Sequence, residues 1–121
     1  YSLLTVELAA FPMPKPPPQI ILGVNSVALA KIAGERTNGV NIRASHERAG
    51  EILAAAKLAH ANSGFDKPFT VSVWEHYDEA LLRGDDPRLD SWRSWGVDRA
   101  ILLMFKSVDF AALKRATKYL R

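Results

Sequence analysis

The chain contains no cysteine. Disulfide bonds and thiolate metal sites are therefore excluded, and a reducing compartment, the cytoplasm, is the expected location. His46 and His60 lie fourteen residues apart on one predicted helix, which is not a metal-ligand spacing, so we expect no metal site. No apolar run approaches the roughly 20 residues of a membrane-spanning helix, and no signal peptide is visible, so we expect no membrane partner.

The chain also lacks a strong excess of one charge. Its 16 basic and 13 acidic residues are interleaved and give a formal net charge of +3. Only the C-terminal end has a small basic group, around Lys114 and Arg115. A nucleic-acid-binding protein needs a concentrated cationic face, because it must neutralise phosphates. We therefore expect no nucleic-acid partner.

What the chain does contain is enough apolar sequence for one folded domain. Its 121 residues are 48% hydrophobic, which is typical of globular proteins. Residues 1–10 are apolar apart from Glu7 and resemble the end of a preceding helix. Five prolines fall between positions 12 and 18. Proline fixes φ and removes a backbone donor, so an extended connector is predicted there. Residues 1–18 are thus set apart from a domain at 19–121.

A regular alternation begins at residue 19. Short apolar runs alternate with longer segments that have one apolar face, so strands and helices are predicted in turn. The predicted strands cover residues 19–22, 39–42, 69–75 and 99–104, and the predicted helices cover 26–36, 46–63, 77–83, 88–95 and the stretch after 107.

Capping residues mark the predicted helix ends. Ser26, Ser45 and Ser107 are predicted N-caps, because a serine oxygen can accept a hydrogen bond from a first-turn N–H. Gly64 and Gly96 are predicted to close helices. The last helix is predicted to face the core with Phe110, Leu113, Ala116 and Leu120.

Four strand–helix units in succession predict a parallel sheet joined by right-handed crossovers. Two architectures fit this order. One is about half of a TIM-type (β/α)8 barrel, and the other is a small open parallel sheet such as a doubly wound sheet. The spacing of the elements alone does not choose between them.

In both architectures, ligands meet the carboxyl ends of the strands. The first strand ends at Gly23, and a helix opens near Asn25 and Ser26. The N–H groups and dipole of a helix N-terminus attract anions, and Gly23 lets the backbone approach a phosphate. This loop is therefore a candidate phosphate site. A plain strand-to-helix turn with a serine cap has the same sequence, and the GxGxxG spacing of dinucleotide-binding folds is absent.

Two other strand ends carry candidate residues. Glu75 and His76 follow the third strand, so one of them can point into a barrel mouth as a catalytic acid or base or as a substrate contact. Lys106 follows the fourth strand and can bind an anionic substrate. The alternatives are a polar loop and a solvated lysine. No Ser/His/Asp arrangement supports hydrolase chemistry.

Four stretches resemble, in the same order, the later part of the luciferase-like monooxygenase family. Residues 18–30 (PQIILGVNSVALA) resemble its proline-led apolar strand, small-residue turn and helix. Residues 33–41 (AGERTNGVN) resemble the following Ala-Asp-Gly stretch, with Asn38 in place of the Asp. Residues 63–71 (SGFDKPFTV) resemble a turn that leads into a strand, and residues 96–102 (GVDRAIL) resemble the approach to the last barrel strand.

The resemblance spans residues 12–121 and implies the last four units of a TIM barrel, the C-terminal half of such a protein. The family binds FMN or the deazaflavin coenzyme F-420 and catalyses hydride transfer between the cofactor and an organic substrate, or flavin-dependent oxygenation. The resemblance therefore implies a small-molecule substrate. Val24 stands where the family commonly has a small residue, and this departure is harmless if only the Val24 N–H contacts the phosphate. By position, the resemblance assigns the cofactor phosphate to Gly23, Val24, Asn25 and Ser26, and the lining of the neighbouring strand end to Gly39, Val40 and Asn41.

The same resemblance limits what this chain can do alone. The family's first four strands carry most residues assigned to catalysis, and they have no counterpart here. The cofactor carries the redox chemistry and the protein positions it. We therefore expect an oxidoreductase portion that is inactive by itself and is completed by a missing N-terminal half or by homo-oligomerisation. The alternatives are a non-catalytic half barrel that self-associates and a small phosphate-binding module with an open sheet.

Overall fold

The computed structural model describes residues 14–120. The predicted helix end at 1–10 and the first part of the connector lie outside the described residues. The described part of the connector, residues 14–18, is exposed and has no regular secondary structure. This agrees with its proline content, because proline cannot donate to a helix or to a central strand.

Strands and helices alternate along the described chain, and each strand and helix predicted from the sequence is present there. The strands are β1 (Ile21–Gly23), β2 (Gly39–Arg43), β3 (Thr70–His76) and β4 (Arg99–Leu103). The helices are α1 (Val27–Arg36), α2 (Ala49–Asn62), α3 (Glu79–Arg83), α4 (Pro87–Ser94) and α5 (Phe110–Ala116), followed by a 3-10 turn at Thr117–Tyr119.

The predicted ends of α2 are half correct. The helix starts without a side-chain cap, so the predicted cap at Ser45 is wrong. The reason is a preceding turn, in which the His46 N–H donates to the Arg43 carbonyl at 3.0 Å and delays the helix. Gly64 and Gly96 follow α2 and α4 with φ of 71° and 72°, a conformation that glycine adopts without strain. Their predicted role as helix terminators is confirmed.

The last helix, α5, begins later than a cap at Ser107 would place it. Its N-cap is Asp109, whose Oδ1 accepts from the Ala112 N–H at 3.0 Å. The small face formed by Ala112 and Ala116 is buried, and α5 contacts α3. The prediction of the inward face is therefore correct for Ala116 and wrong for the larger residues. These are exposed: Phe110, Leu113 and Leu120.

The strands form one parallel sheet in the order β1-β2-β3-β4. One row of register partners consists of Gly23, Asn41, Ser72 and Arg99, and the next row on the same face consists of Arg43, Trp74 and Ile101. A doubly wound sheet reverses its strand order at a switch point, and the four described strands contain no reversal. The fold is α/β with a four-stranded parallel sheet, consistent with the small open sheet among the predictions.

One face of the sheet, termed the covered face, packs against the helices. A right-handed crossover repeated between neighbouring strands places successive helices on the same side. The central strand residues on this side, Val40, Ile42, Val71 and Val73, are at most 3% exposed. They share one apolar cluster with helix residues that include Ala30, Ala33, Ile52, Leu53, Ala56, Leu81 and Trp92.

Helices α1 and α2 pack closely at Gly34. A Cβ added to Gly34 would overlap the Ala56 carbonyl oxygen, and the Gly34 carbonyl lies 3.3 Å from His60 Nδ1. Glycine inside a helix is less favourable than alanine by about 1 kcal/mol. The close contact between the two helices explains why glycine nevertheless stands at this position.

The opposite face of the sheet, termed the bare face, has no helix from the described residues against it. Side chains alternate between the two faces of a strand. The bare face therefore consists of Ile21, Gly23, Gly39, Asn41, Arg43, Thr70, Ser72, Trp74, His76, Arg99, Ile101 and Leu103. Most of these residues are half-buried or exposed. Parallel sheets are normally covered on both faces, so a bare face is unusual. Among residues 14–120, no further strand pairs with the outer edges of β1 and β4.

Candidate ligand site at the carboxyl edge of the sheet

The loop after β1 places the N-terminus of α1 at the carboxyl edge. Ser26 is extended (φ −149°, ψ 159°) and its Oγ accepts from the Leu29 N–H at 3.2 Å, so the predicted cap is confirmed. The first N–H groups of a helix have no intrahelical partner, and those of Val27 and Ala28 remain for an external acceptor. Gly23 is exposed, and no atom lies within 4 Å of the position that a Cβ would take. This corner of the sheet has room for a ligand.

Val24 differs from its predicted role. Its side chain is 7% exposed and belongs to the apolar cluster on the covered face. Its N–H donates to the Asn41 carbonyl at 2.9 Å, so the donor through which it was expected to bind a phosphate is already used by the sheet. Gly23, Asn25 and Ser26 are the residues of this loop that stay accessible.

The second predicted group, Gly39 to Asn41, is divided between two places. Gly39 begins β2, at the amino end, and a Cβ there would lie 2.5 Å from the Thr70 carbonyl oxygen. Val40 is fully buried on the covered face. Only Asn41 lies beside the β1 loop, in register with Gly23 on the bare face. Since β2 continues to Arg43, neither Gly39 nor Val40 is at the strand end where the resemblance places it.

Asn38, which replaces an Asp of the family pattern, has a structural role in this chain. Its Oδ1 accepts from the Ile20 N–H at 2.9 Å, and its carbonyl accepts from the Thr70 N–H at 2.9 Å. These bonds join three strands at the amino edge of the sheet. Asn38 is therefore distant from the carboxyl edge.

Glu75 and His76 point to opposite faces, as alternation in a strand requires. Glu75 is 8% exposed, and its Oε1 accepts from the His76 N–H at 2.9 Å. It lines a cavity of about 200 Å³ together with Arg88 and Trp92 on the helix side. His76 is exposed on the bare face. Of the two predicted candidates, only His76 can reach a ligand there.

Lys106 lies in an exposed stretch after β4. Beside it lies a group of four residues, which we term the aromatic cluster: Arg43, Trp74, His76 and Phe105. Of these, only His76 was predicted as a site residue. The Arg43 Cζ lies 5.2 Å from the centre of the Trp74 ring. Phe105 lies 5.9 Å from Trp74 and 4.7 Å from His76, between ring centroids. The cluster occupies the carboxyl edge of β2, β3 and β4 on the bare face.

Part of this cluster was detectable in the sequence. The period-two pattern of β3 places Trp74 and His76 on one face, opposite to Val73 and Glu75. Arg43 could not be added, because its position opposite Trp74 depends on the register of β2 with β3. Phe105 follows β4, and no local pattern shows that its ring turns back over the strand end.

Of two cavities in the described part of the chain, one adjoins the aromatic cluster and the other lies away from it. A cavity of about 360 Å³ at the ends of β3 and β4 is lined by residues that include His76, Tyr77, Phe105 and Arg115. Another cavity, of about 660 Å³, lies between α1 and α2 on the outer surface, around Lys31 and Leu58. The smaller cavity is the more relevant one, because ligands of parallel α/β folds meet the carboxyl ends of strands.

The bare face carries positive charge and no acidic residue. Arg43 and Arg99 are exposed on it. Within the described residues, neither of them forms a salt bridge with a carboxylate. An anion at this face would meet cations that the fold leaves uncompensated.

The main ion-pair cluster of the described chain lies elsewhere, at the start of α4. Arg88 donates to Asp78 at 2.6 Å and to Asp86 at 2.9 Å. Asp86 accepts hydrogen bonds from both the side chain and the backbone N–H of Arg88, and these bonds lower the pKa of Asp86 to about 2. Arg88 also lowers the pKa of Asp78. The cluster joins the loop after β3 to α4, and its groups are already paired, so we assign it a structural role.

Comparisons of this chain with protein-family models, with curated proteins and with solved structures found no match. The site is therefore interpreted from its own residues. Among residues 14–120, no three His, Asp or Glu side chains are grouped so that they could hold a metal ion. None of the helices in that part of the chain has the length and apolar character needed to cross a bilayer.

Proposed function

We propose that this chain is the C-terminal half of a luciferase-like oxidoreductase or monooxygenase that uses FMN or coenzyme F-420. The resemblance of residues 12–121 to that family motivates the proposal. The consecutive order of the four parallel strands, with the helices on the covered face, also supports it. A (β/α)8 barrel is wound in this way, and its inner surface would correspond to the bare face.

The observation that carries the proposal is the α1 N-terminus at the carboxyl edge, beside the exposed Gly23. A phosphate at this corner would accept hydrogen bonds from the N–H groups of Val27 and Ala28. The helix dipole would add to its binding. Ser26 and Asn25 lie at the same corner and would complete the contact, whereas Val24 supports the loop from the covered face.

When bound, the flavin or deazaflavin would supply hydride transfer or oxygenation. This chain would hold the cofactor phosphate at the α1 corner. Asn41, one strand away, would contact the adjoining part of the molecule. His76 would be the proton donor or acceptor that this half contributes. Lys106 keeps its expected role as a contact for an anionic substrate. The remaining walls would come from an N-terminal half or from a second copy.

The test compares FMN and coenzyme F-420 with riboflavin, which has the FMN ring without the phosphate. We expect FMN to bind at least about tenfold more tightly than riboflavin, because charge-assisted bonds to a phosphate are strong. Ser26→Asp keeps an N-cap but places a negative charge next to the phosphate, so it should remove that difference. Ser26→Thr is the matched control and should preserve it.

Three results of this titration would contradict the phosphate site. The first is absence of binding by both FMN and coenzyme F-420. The second is equal binding of FMN and riboflavin, and the third is an Ser26→Asp variant that binds FMN like the original chain. Binding of inorganic phosphate as tight as that of FMN would favour the small phosphate-binding module instead.

A second candidate function is that of a non-catalytic half barrel that self-associates. The bare face favours it, and so do the outer edges of β1 and β4, which have no partner strand in the described part of the chain. Unpaired strand edges pair readily with other chains. Two copies joined β4 to β1 in both directions would close eight strands with two-fold symmetry. Sedimentation equilibrium tests this: a dimer that binds no cofactor supports it, and a monomer at high concentration contradicts it.

A further inference from the structure

We propose that the aromatic cluster binds a planar aromatic ligand that carries a carboxylate or a similar anionic group. The cluster consists of Arg43, Trp74, His76 and Phe105, and it lies on the bare face apart from the loop at Gly23. The proposal is carried by the shape and the charge of these four side chains. It holds whether or not the phosphate loop binds a cofactor.

The shape of the cluster suits a flat ring. Trp74 and Phe105 lie 5.9 Å apart at an interplanar angle of 61°. His76 lies 4.7 Å from Phe105. Phe105 nevertheless exposes 59% of its surface, and Trp74 is only half-buried. A ring that stacks on them would bury aromatic surface and add edge-to-face contacts, which are favourable beyond the area buried.

The charge of the cluster determines the sign of the ligand. The Arg43 guanidinium lies over the Trp74 ring, with Cζ 5.2 Å from its centre. Because β2 and β3 hold the two residues opposite each other, the cation is kept at the edge of the aromatic surface. No carboxylate pairs with Arg43 within the described residues. The planar fork of a guanidinium suits a carboxylate, to which it can donate two hydrogen bonds.

The size of the site favours a small molecule. The adjoining cavity of about 360 Å³ shares His76 and Phe105 with the cluster. This volume falls near the lower end of the range for small-molecule sites, about 300–1,000 Å³. One or two fused rings fit a space of this size beside His76 and Phe105. A ring that extends from this cavity onto Trp74 would bring its anionic substituent towards Arg43.

The experiment titrates the full chain with three probes that separate ring from charge. 1-Naphthoate has both, 1-naphthylmethanol has the ring alone, and cyclohexanecarboxylate has the charge alone. We expect 1-naphthoate to bind at least about tenfold more tightly than either of the others, because only 1-naphthoate meets both the rings and the cation. Calorimetry gives the affinity, and the indole N–H resonance of Trp74 reports the location. None of the probes contains a phosphate, so failure here is distinct from failure of the cofactor proposal.

Two variants and one matched control test the assignment. Arg43→Gln and Trp74→Leu should each weaken 1-naphthoate binding about tenfold or more. Arg99→Gln removes the same charge from the same face, two strands and one register row away from Arg43. Two strand spacings are about 10 Å, a distance at which salt screens exposed charges. The Arg99 variant should therefore change the affinity less than about twofold.

Circular dichroism of each variant shows whether its fold is intact. If Trp74→Leu does not fold, Arg43→Gln decides the question, because the Arg43 side chain is exposed. The proposal is overturned if folded Arg43→Gln binds 1-naphthoate normally, or if 1-naphthoate and 1-naphthylmethanol bind equally. It is also overturned if no probe binds and the variants change only self-association, since the cluster would then be an interface between copies.

Discussion

On the covered face of the sheet, the residues of β2 and β3 are Val40, Ile42, Val71 and Val73, all at most 3% exposed. On the bare face, the alternating residues of the same two strands are Asn41, Arg43, Ser72, Trp74 and His76, which combine hydrogen-bonding groups, charge and aromatic rings. The covered face resembles the interior of an ordinary α/β protein. The bare face has the mixed composition that the proposed ligand sites require.

This difference separates stability from ligand chemistry within single strands. Burial of the covered face supplies the hydrophobic driving force for folding, whereas few large side chains are fully buried on the bare face. The exposed residues of the bare face, such as Arg43 and His76, are therefore accessible to a ligand. Ser72 is not, because it is fully buried and its hydroxyl donates to the Val40 carbonyl. Changes on the two faces should accordingly have different effects, and matched substitutions can measure the difference.

The largest expected effect comes from truncating isoleucine on each face. Ile42 is 2% exposed on the covered face. Ile42→Ala should lower the unfolding free energy by about 2–5 kcal/mol, because the shortened side chain leaves a cavity. Ile101 is half-buried on the bare face, and Ile101→Ala should cost about 1 kcal/mol or less. Urea denaturation measures both. Equal losses would show that the bare face is covered in solution.

A smaller effect is expected for a methyl group added to glycine. Gly34→Ala inserts a Cβ against the Ala56 carbonyl, between two helices of the covered face, and should cost about 1–3 kcal/mol. Gly23→Ala adds the same group to open space and should change the unfolding free energy by under about 0.5 kcal/mol. Thermal and urea unfolding measure the two variants. An undiminished stability of Gly34→Ala would mean that α1 and α2 are less tightly packed than described.

The next effect concerns the cation of the bare face. Arg43→Gln removes the contact with the Trp74 ring, and an exposed cation–π contact is worth about 0.5–1 kcal/mol. We therefore expect a stability loss below about 1 kcal/mol in urea unfolding. A much larger loss would show that Arg43 belongs to the folding core and would weaken the separation between the two faces.

The smallest effect is electrostatic and depends on pH. The pKa of Asp86 is lowered to about 2 by its bonds with Arg88, against about 3.9 in an unfolded chain. The ionised Asp86 therefore contributes its full stabilisation at pH values above the pKa of the unfolded chain. This stabilisation is lost as the pH falls through the lower pKa of the folded chain. Asp86→Asn keeps a capping oxygen and should be less stable than the original chain at neutral pH.

This stability difference should shrink between about pH 4 and pH 2 and vanish below that range. Urea unfolding at a series of pH values tests it. A difference that stays constant across the range would attribute the effect of Asp86 to helix capping alone. Arg88 also lowers the pKa of the Asp78 carboxylate. Asp78 is present in both the original chain and the Asp86→Asn variant.

Local patterns predicted the elements well and their mutual positions poorly. The Ser26 cap and the closing glycines followed from interactions within a few residues. Ser107 and Asp109 both satisfy the local capping pattern, and the structure has the N-cap of α5 at Asp109, with Ala112 and Ala116 buried. Within the candidate site, His76 was predicted and Arg43 was not, since pairing of Arg43 with Trp74 joins residues on separate strands.

The sequence by itself determined the alternation of strands and helices, the proline connector and the division of each strand into two kinds of side chain. Its periodicity is local, so backbone geometry translates it directly into elements and faces. Only the tertiary structure decided that the Val24 N–H belongs to the sheet, that Glu75 faces the helices and that Arg43 lies over Trp74. These facts depend on strand register and helix packing, which are set by contacts between residues far apart in the chain.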